Sequence, residues 1–134
     1  MSYTAYTNMA GGKKILMIDD EQVLLKVASA FFEEAGYDIK GILDPLQGYE
    51  TARSWKPDII LLDIIMPGVN GLEILKKLMD DPETSSIPVF VFSNLDNQNE
   101  IAEAMETGAV EYLTKANYSL EDVKKKIEET ISKH

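Results

Sequence analysis

Residues 58–68 read DIILLDIIMPG, and within them Ile59–Leu62 contains no polar residue. A strand with one wet face shows a polar side chain at every second position, so a run without that alternation needs an apolar cover on both faces. Such a strand belongs at the centre of a parallel sheet with helices on either side. Residues 14–18 (KILMI) and Val89–Phe92 after Pro88 read the same way, Val110–Leu113 gives a short fifth strand, and residues 37–42 a second.

The segments between these runs carry helical spacing. Val23, Leu24, Val27, Ala28 and Phe31 recur at the helical period, and Gly36 stands where a helix terminates. Asp44-Pro45 supplies a cap and a first-turn residue for a helix to about Trp55, and Pro57 prevents its continuation. Leu72, Leu75, Lys76 and Met79 carry a third helix opened by Asn70-Gly71. Asp96 to Glu106 reads as a fourth, closed by Gly108. The last opens on a capping-box-like Ser119-Leu-Glu-Asp122 and runs through Val123, Ile127 and Ile131. Five strand–helix units with no repeats and no hairpin signals predict an α/β fold: a doubly wound five-stranded parallel sheet with helices on both faces.

The chain has 134 residues, room for one domain with a core. We expect a flexible leader over residues 1–12 and one folded domain over 13–134. The opening MSYTAYTNMAGG lacks the basic head and apolar stretch of a secretory signal, and no apolar run approaches a membrane span. The absence of cysteine fits a reducing compartment, so the expected location is cytoplasmic. Acidic residues outnumber basic ones 23 to 13, for a formal net charge of -10, which argues against direct nucleic-acid binding.

In an open parallel sheet, ligands bind beyond the carboxyl ends of the strands. Asp19 and Asp20 end the first strand, Asp63 the third and Ser93 the fourth, and Lys115 follows the fifth. Singly, each has a plain structural reading: a helix-dipole partner, a solvated strand end, a turn residue, a surface lysine. Their convergence on one edge is what points to function. Two carboxylates about 4 Å apart repel by about 4 kcal/mol at an effective dielectric near 20, and a divalent cation removes that conflict. With hard oxygen donors and no histidine or cysteine nearby in sequence, Mg2+ suits better than zinc. Lys115 and the Ser93 hydroxyl would serve phosphoryl oxygens that the metal does not hold.

The DDE at 19–21, LLDIIMPGVNG at 61–71, VFVFSN at 89–94 and GAVEYLTKA at 108–116 together resemble the receiver domain of two-component response regulators, the CheY-like family. The resemblance covers about residues 13–134 and implies a flavodoxin-like strand order, 2-1-3-4-5. It implies that Asp63 is the phosphoacceptor, taking a phosphoryl group from a histidine kinase or phosphotransfer protein. It further implies Mg2+ bound by Asp63, Asp20, the backbone carbonyl of Ile65 and, through water, Asp19. Lys115 would pair with the phosphoryl group, Ser93 would swing to hydrogen-bond it, and Tyr112 would follow inward. The surface of the fourth helix, fifth strand and fifth helix would change with them. Such a protein is a signalling phosphoacceptor rather than an enzyme, catalysing only its own phosphorylation and dephosphorylation.

Three features depart from the family pattern. Ala116 stands where proline usually follows the lysine, which predicts a trans Lys115–Ala116 bond. Asn94 replaces a small residue, and Ile65 and Leu95 are apolar where the family borders the phosphoryl group. Only ISKH follows the last helix, so the expected output is contact with an unidentified downstream protein or with a second copy. Ala109, Val110 and Tyr112 with the outer face of the last helix are a candidate homodimer surface, and His134 reads as an exposed tail residue. Two alternatives stay open: a phosphohydrolase with an aspartyl nucleophile, and a non-phosphorylated interaction module on the same fold.

Overall fold

A computed structural model describes residues 11–94 and 96–132. Its main sheet is built from β1 (Lys14–Ile18), β2 (Asp38–Ile42), β3 (Ile59–Leu62), β6 (Val89–Ser93) and β7 (Glu111–Thr114). They lie in the order β2-β1-β3-β6-β7, every pair parallel, which is the expected 2-1-3-4-5 arrangement. The crossovers are α1 (Gln22–Glu34), α2 (Pro45–Trp55), α3 (Gly71–Asp80) and α4 (Gln98–Thr107), and α5 (Leu120–Ser132) follows β7.

The unbroken apolar runs are explained by two cores. Ile15, Met17, Ile59, Leu61, Phe90 and Phe92 face one side, against Leu25, Ala28 and Phe32 of α1 and Val123 and Ile127 of α5. The alternate residues Leu16, Ile18, Ile60, Leu62, Val89 and Val91 face the other, against Ala52 of α2, Ile74, Leu75 and Leu78 of α3 and Ala104 of α4. Successive side chains of a strand point to opposite faces, so a sheet covered on both sides needs apolar residues at every position. β3 sits third of five and is buried throughout.

The helix ends follow the sequence signals. Asp44 accepts from the Leu46 N–H at 3.1 Å, and Asn70 accepts from the Leu72 N–H at 3.0 Å. Ser119 and Asp122 form a reciprocal box: the Ser119 N–H donates to Asp122 Oδ2 at 3.0 Å and the Asp122 N–H to Ser119 Oγ at 3.1 Å. The cap of α4 is Asn97, one residue beyond the expected Asp96 start. Gly36 follows α1 with φ of 98°, a left-handed position suited to glycine.

The absence of hairpins is corrected. β4 (Ile65–Met66) and β5 (Val69–Asn70) form a two-residue antiparallel ladder directly after Asp63. Pro67-Gly68 makes its turn, with Gly68 at φ 74°. Strands of two residues are too short to show any periodicity. A second correction concerns Ala109, offered above as a surface residue: it is buried in the core that packs beneath α4. No cis peptide occurs among the described residues, so the Lys115–Ala116 bond is trans as expected. Among the described residues no helix is long and apolar enough to cross a membrane. Leu95, His134 and residues 1–10 of the expected leader lie outside the described residues.

Candidate functional site

Backbone rungs at the carboxyl edge of the sheet fix the site. The Asp19 N–H donates to the Ile42 carbonyl at 3.1 Å, the Asp63 N–H to Ile18 at 3.0 Å and the Lys115 N–H to Ser93 at 2.8 Å. Each of these three residues is thus the first one past its own strand, still tied to the neighbouring strand. The chain leaves the sheet there with its polar side chain already aimed at the edge.

The side chains converge. Asp63 is 4% exposed, and its Oδ1 accepts from the Ile65 N–H at 2.9 Å. Its Oδ2 accepts from Lys115 Nζ at 3.1 Å. Asp19, 1% exposed, accepts from the Glu21 N–H at 2.9 Å through Oδ1. Its Oδ2 lies 2.8 Å from Lys115 Nζ but receives no well-directed hydrogen bond, so that contact is an ion pair with the oxygen's lone pairs still poorly satisfied. Lys115 also hydrogen-bonds and ion-pairs with Glu21 Oε2. Its Nζ lies 6.0 Å from the centroid of the buried Phe92 ring.

Burial and charge act against each other here. Burial raises the Asp19 carboxyl above the usual carboxylate range; Lys115 and the Glu21 N–H pull it back, and Asp63 adds to the rise. Burial works to lower the Lys115 ammonium, but its close contacts with the Asp19 and Glu21 carboxylates and the charge of Asp63 outweigh it, so lysine is held above its ordinary value. The site keeps one firm cation among its acids.

Oxygens of Asp19, Asp20 and Asp63 all lie within 4.8 Å of one another, with Asp20 on the solvent side. Three carboxylates, a buried Asp19 oxygen without a directed donor and no nitrogen or sulfur ligand among them form a donor set that fits Mg2+. Ile65 lies on β4 and braces Asp63 through its N–H, while its side chain is 47% exposed beside the site. An aspartyl phosphohydrolase of the haloacid-dehalogenase type needs a second acid at this position, and Ile65 supplies none.

Ser93 is fully buried at the end of β6 and pairs in register with Thr114. Tyr112, on the neighbouring strand β7, is half-buried. Burial pushes its phenol up to about 12; the nearby Ser93 hydroxyl opposes this, and Glu100, Asp63 and Asp96 reinforce it. Tyr112 packs with the core on the α3–α4 side. The serine and the tyrosine therefore sit near each other, on adjacent strands, at one flank of the carboxylates.

Glu21 was not singled out from the sequence. An acid at the start of a helix reads as a dipole partner or cap, yet Glu21 makes no side-chain cap to α1 and reaches instead to Lys115. A cleft of about 350 Å³ is lined by Glu21, Phe92, Asn94, Lys115 and Tyr118 among others, so Asn94 shares a wall with Lys115.

Comparison with known proteins agrees with this geometry. The family model of the response regulator receiver domain matches residues 15–128. The chain is 35% identical over 102 residues to protein PilH of Pseudomonas aeruginosa, covering 76% of this chain and 84% of PilH. It is 34% identical to the DNA-binding dual master transcriptional regulator RpaA of Synechocystis, covering 76% of this chain but only 42% of RpaA. Against response regulator PleD of Caulobacter vibrioides the identity is 35%, over 22% of that protein. Among solved structures, the Francisella response regulator 1452 receiver domain superposes with a TM-score of 0.81 at 26% identity, covering 90% of this chain and 98% of that one. A CheY-like receiver domain protein of Methanospirillum hungatei gives 0.84 at 21% identity over 90% and 94% of the two chains, a likeness of fold. The chain belongs to the response regulator receiver domain family, the phosphoacceptor module of two-component signalling.

Proposed function

We propose that Asp63 is the phosphoacceptor and that a phosphohistidine of a histidine kinase or phosphotransfer protein is its donor. The observation that carries this reading is the placement of Asp63: nearly buried, at the sheet edge, between one ammonium and two further carboxylates. One Asp63 oxygen attacks phosphorus, the O–P bond forms, and the P–N bond to the imidazole breaks with its electrons returning to the ring nitrogen. The Ile65 N–H keeps the attacking carboxylate in one orientation, and Lys115 neutralises charge on the transferred group. Asp20, Asp63 and the Ile65 carbonyl, with Asp19 through water, would hold Mg2+, which when bound would supply countercharge for phosphoryl oxygens. Ser93 then turns to hydrogen-bond the phosphoryl group, Tyr112 follows, and the pair biases the surface of α4, β7 and α5.

In this reading the receiver unit spans residues 13–134, resides in the cytoplasm and catalyses only its own loading and unloading. Its output is a protein contact. Val110 and Met105, exposed beside β7 and on α4, offer a surface for a downstream protein or a second copy. The test is intact-mass measurement after incubation with phosphoramidate and Mg2+. The wild type is expected to gain one phosphoryl group and Asp63→Asn none; a wild type that gains nothing, or an Asn variant that gains as much, overturns the assignment.

A further inference from the structure

The Lys115 ammonium has three hydrogens to give, and three carboxylates surround it. Its directed hydrogen bonds run to Asp63 and Glu21, while Asp19 is a close ionic neighbour. Two of these partners are fixed. Asp19 is buried and tied to the Glu21 N–H, and Asp63 is buried and tied to the Ile65 N–H. Glu21 differs: its side chain is 51% exposed, so water can take over its oxygens when the bond to lysine opens.

Its position in the chain sharpens the contrast. Glu21 occupies the N-cap of α1, where a side chain ordinarily bonds the free N–H groups of the first turn. It does not do so, and its carboxylate spans to a loop 94 residues away. Lys115 must offer a hydrogen to an arriving phosphoryl oxygen, and with Asp19 and Asp63 pinned, the bond to Glu21 is the one that can open. We infer that Glu21 is a positioning residue for Lys115, the exchangeable partner that a phosphoryl group displaces, and that it thereby sets how readily Asp63 is loaded and unloaded. The inference rests on Asp63 being the acceptor.

Charge and geometry act together. The Glu21 carboxylate holds the ammonium toward the entrance and repels an anionic donor; without it, Lys115 turns wholly to the acceptor. Glu21→Gln is then expected to load faster and to hold its phosphoryl group longer, each by about two- to fivefold, the size expected of one half-exposed ion pair.

The test uses the full chain with phosphoramidate and Mg2+. In that reaction the Asp63 oxygen bonds to phosphorus, the P–N bond breaks, and nitrogen leaves as ammonia with the three hydrogens it already carries. Loading and decay are followed by intact mass for the wild type, Glu21→Gln, Glu21→Asp and, as a control of equal net charge, Glu106→Gln on the exposed face of α4. In parallel, the Lys115 ammonium is observed by 15N NMR without any phosphoryl donor. The expected result is faster hydrogen exchange at Lys115 in both Glu21 variants, loading in Glu21→Asp as fast as in Glu21→Gln because the shorter acid cannot reach, and wild-type behaviour in Glu106→Gln. The inference is overturned if Glu21→Gln loads at the wild-type rate, or if Glu21→Asp behaves as wild type or Glu106→Gln matches Glu21→Gln, since charge alone then suffices. An unchanged Lys115 signal in both Glu21 variants also overturns it. A wild type that takes up no phosphoryl group removes the acceptor reading itself, and this inference with it.

Discussion

Asp63, Asp19, Ser93 and Lys115 are legible in the sequence because each ends or follows an apolar strand, where a polar side chain stands out. Glu21 is not, because its partner is 94 residues away and an exposed acid at a helix start has a local explanation that turns out not to hold. Ile65 shows what one apolar side chain contributes at such an edge. It is half exposed beside Asp63, with no group to hold an attacking water. Replacing it with asparagine supplies an amide there, and the phosphorylated state should decay several-fold faster; an unchanged half-life at fixed Mg2+ refutes the role. A second residue-scale prediction concerns Tyr37, whose phenol is pushed up to about 12 by burial, with Glu128 adding to the rise. The folded chain holds this proton more tightly than the unfolded chain, whose tyrosines titrate near 10. The resulting stability is intact below pH 10 and is lost as pH climbs toward 12. Urea midpoints at pH 9 and 11.5 should fall further apart in the wild type than in Tyr37→Phe.

Among the elements, the long helices and buried strands follow the sequence to within about two residues, because their periodicity is sustained and their caps are explicit. The β4–β5 hairpin escapes for the opposite reason: its two-residue strands leave only Pro67-Gly68 and Gly71 as signals. Gly71 matters through space rather than φ. A Cβ added there would lie 2.2 Å from the Ile64 Cα, the backbone directly after Asp63, and the Gly71 N–H donates to the Ile64 carbonyl at 3.2 Å. Gly71→Ala must therefore move the loop that follows Asp63. It should cost about 1–3 kcal/mol, the range for overpacking, and slow loading as well, measured by urea unfolding and by intact mass. The start of α5 offers a second case. Ser119→Ala removes one half of the reciprocal cap and should cost about 1 kcal/mol; a urea midpoint equal to wild type counts against the box.

At the level of the whole molecule, the parallel order of five strands brings residues from positions 19 to 115 to one edge, and no local segment of the chain contains the site. A net charge of -10 makes the crowding of Asp19, Asp20 and Asp63 a burden on folding that a bound cation relieves. Mg2+ at ten times its dissociation constant should stabilise the fold by about 1.4 kcal/mol, raising Tm by about 5 °C. Asp20→Asn, a substitution at the exposed member of the group, should remove most of that gain in a thermal scan. The N–H rungs of Asp19, Asp63 and Lys115 carry a further consequence. The amides of Asp19 and Asp63 close the ends of the interior strands β1 and β3, so their deuterium uptake should be as slow as that of Ile60 or Leu61 and should require the sheet itself to open; the Lys115 amide, past the edge strand β7, should exchange sooner. A chemically active corner built this way is as rigid as the interior, and its responsiveness has to come from side chains turning over a backbone that stays still.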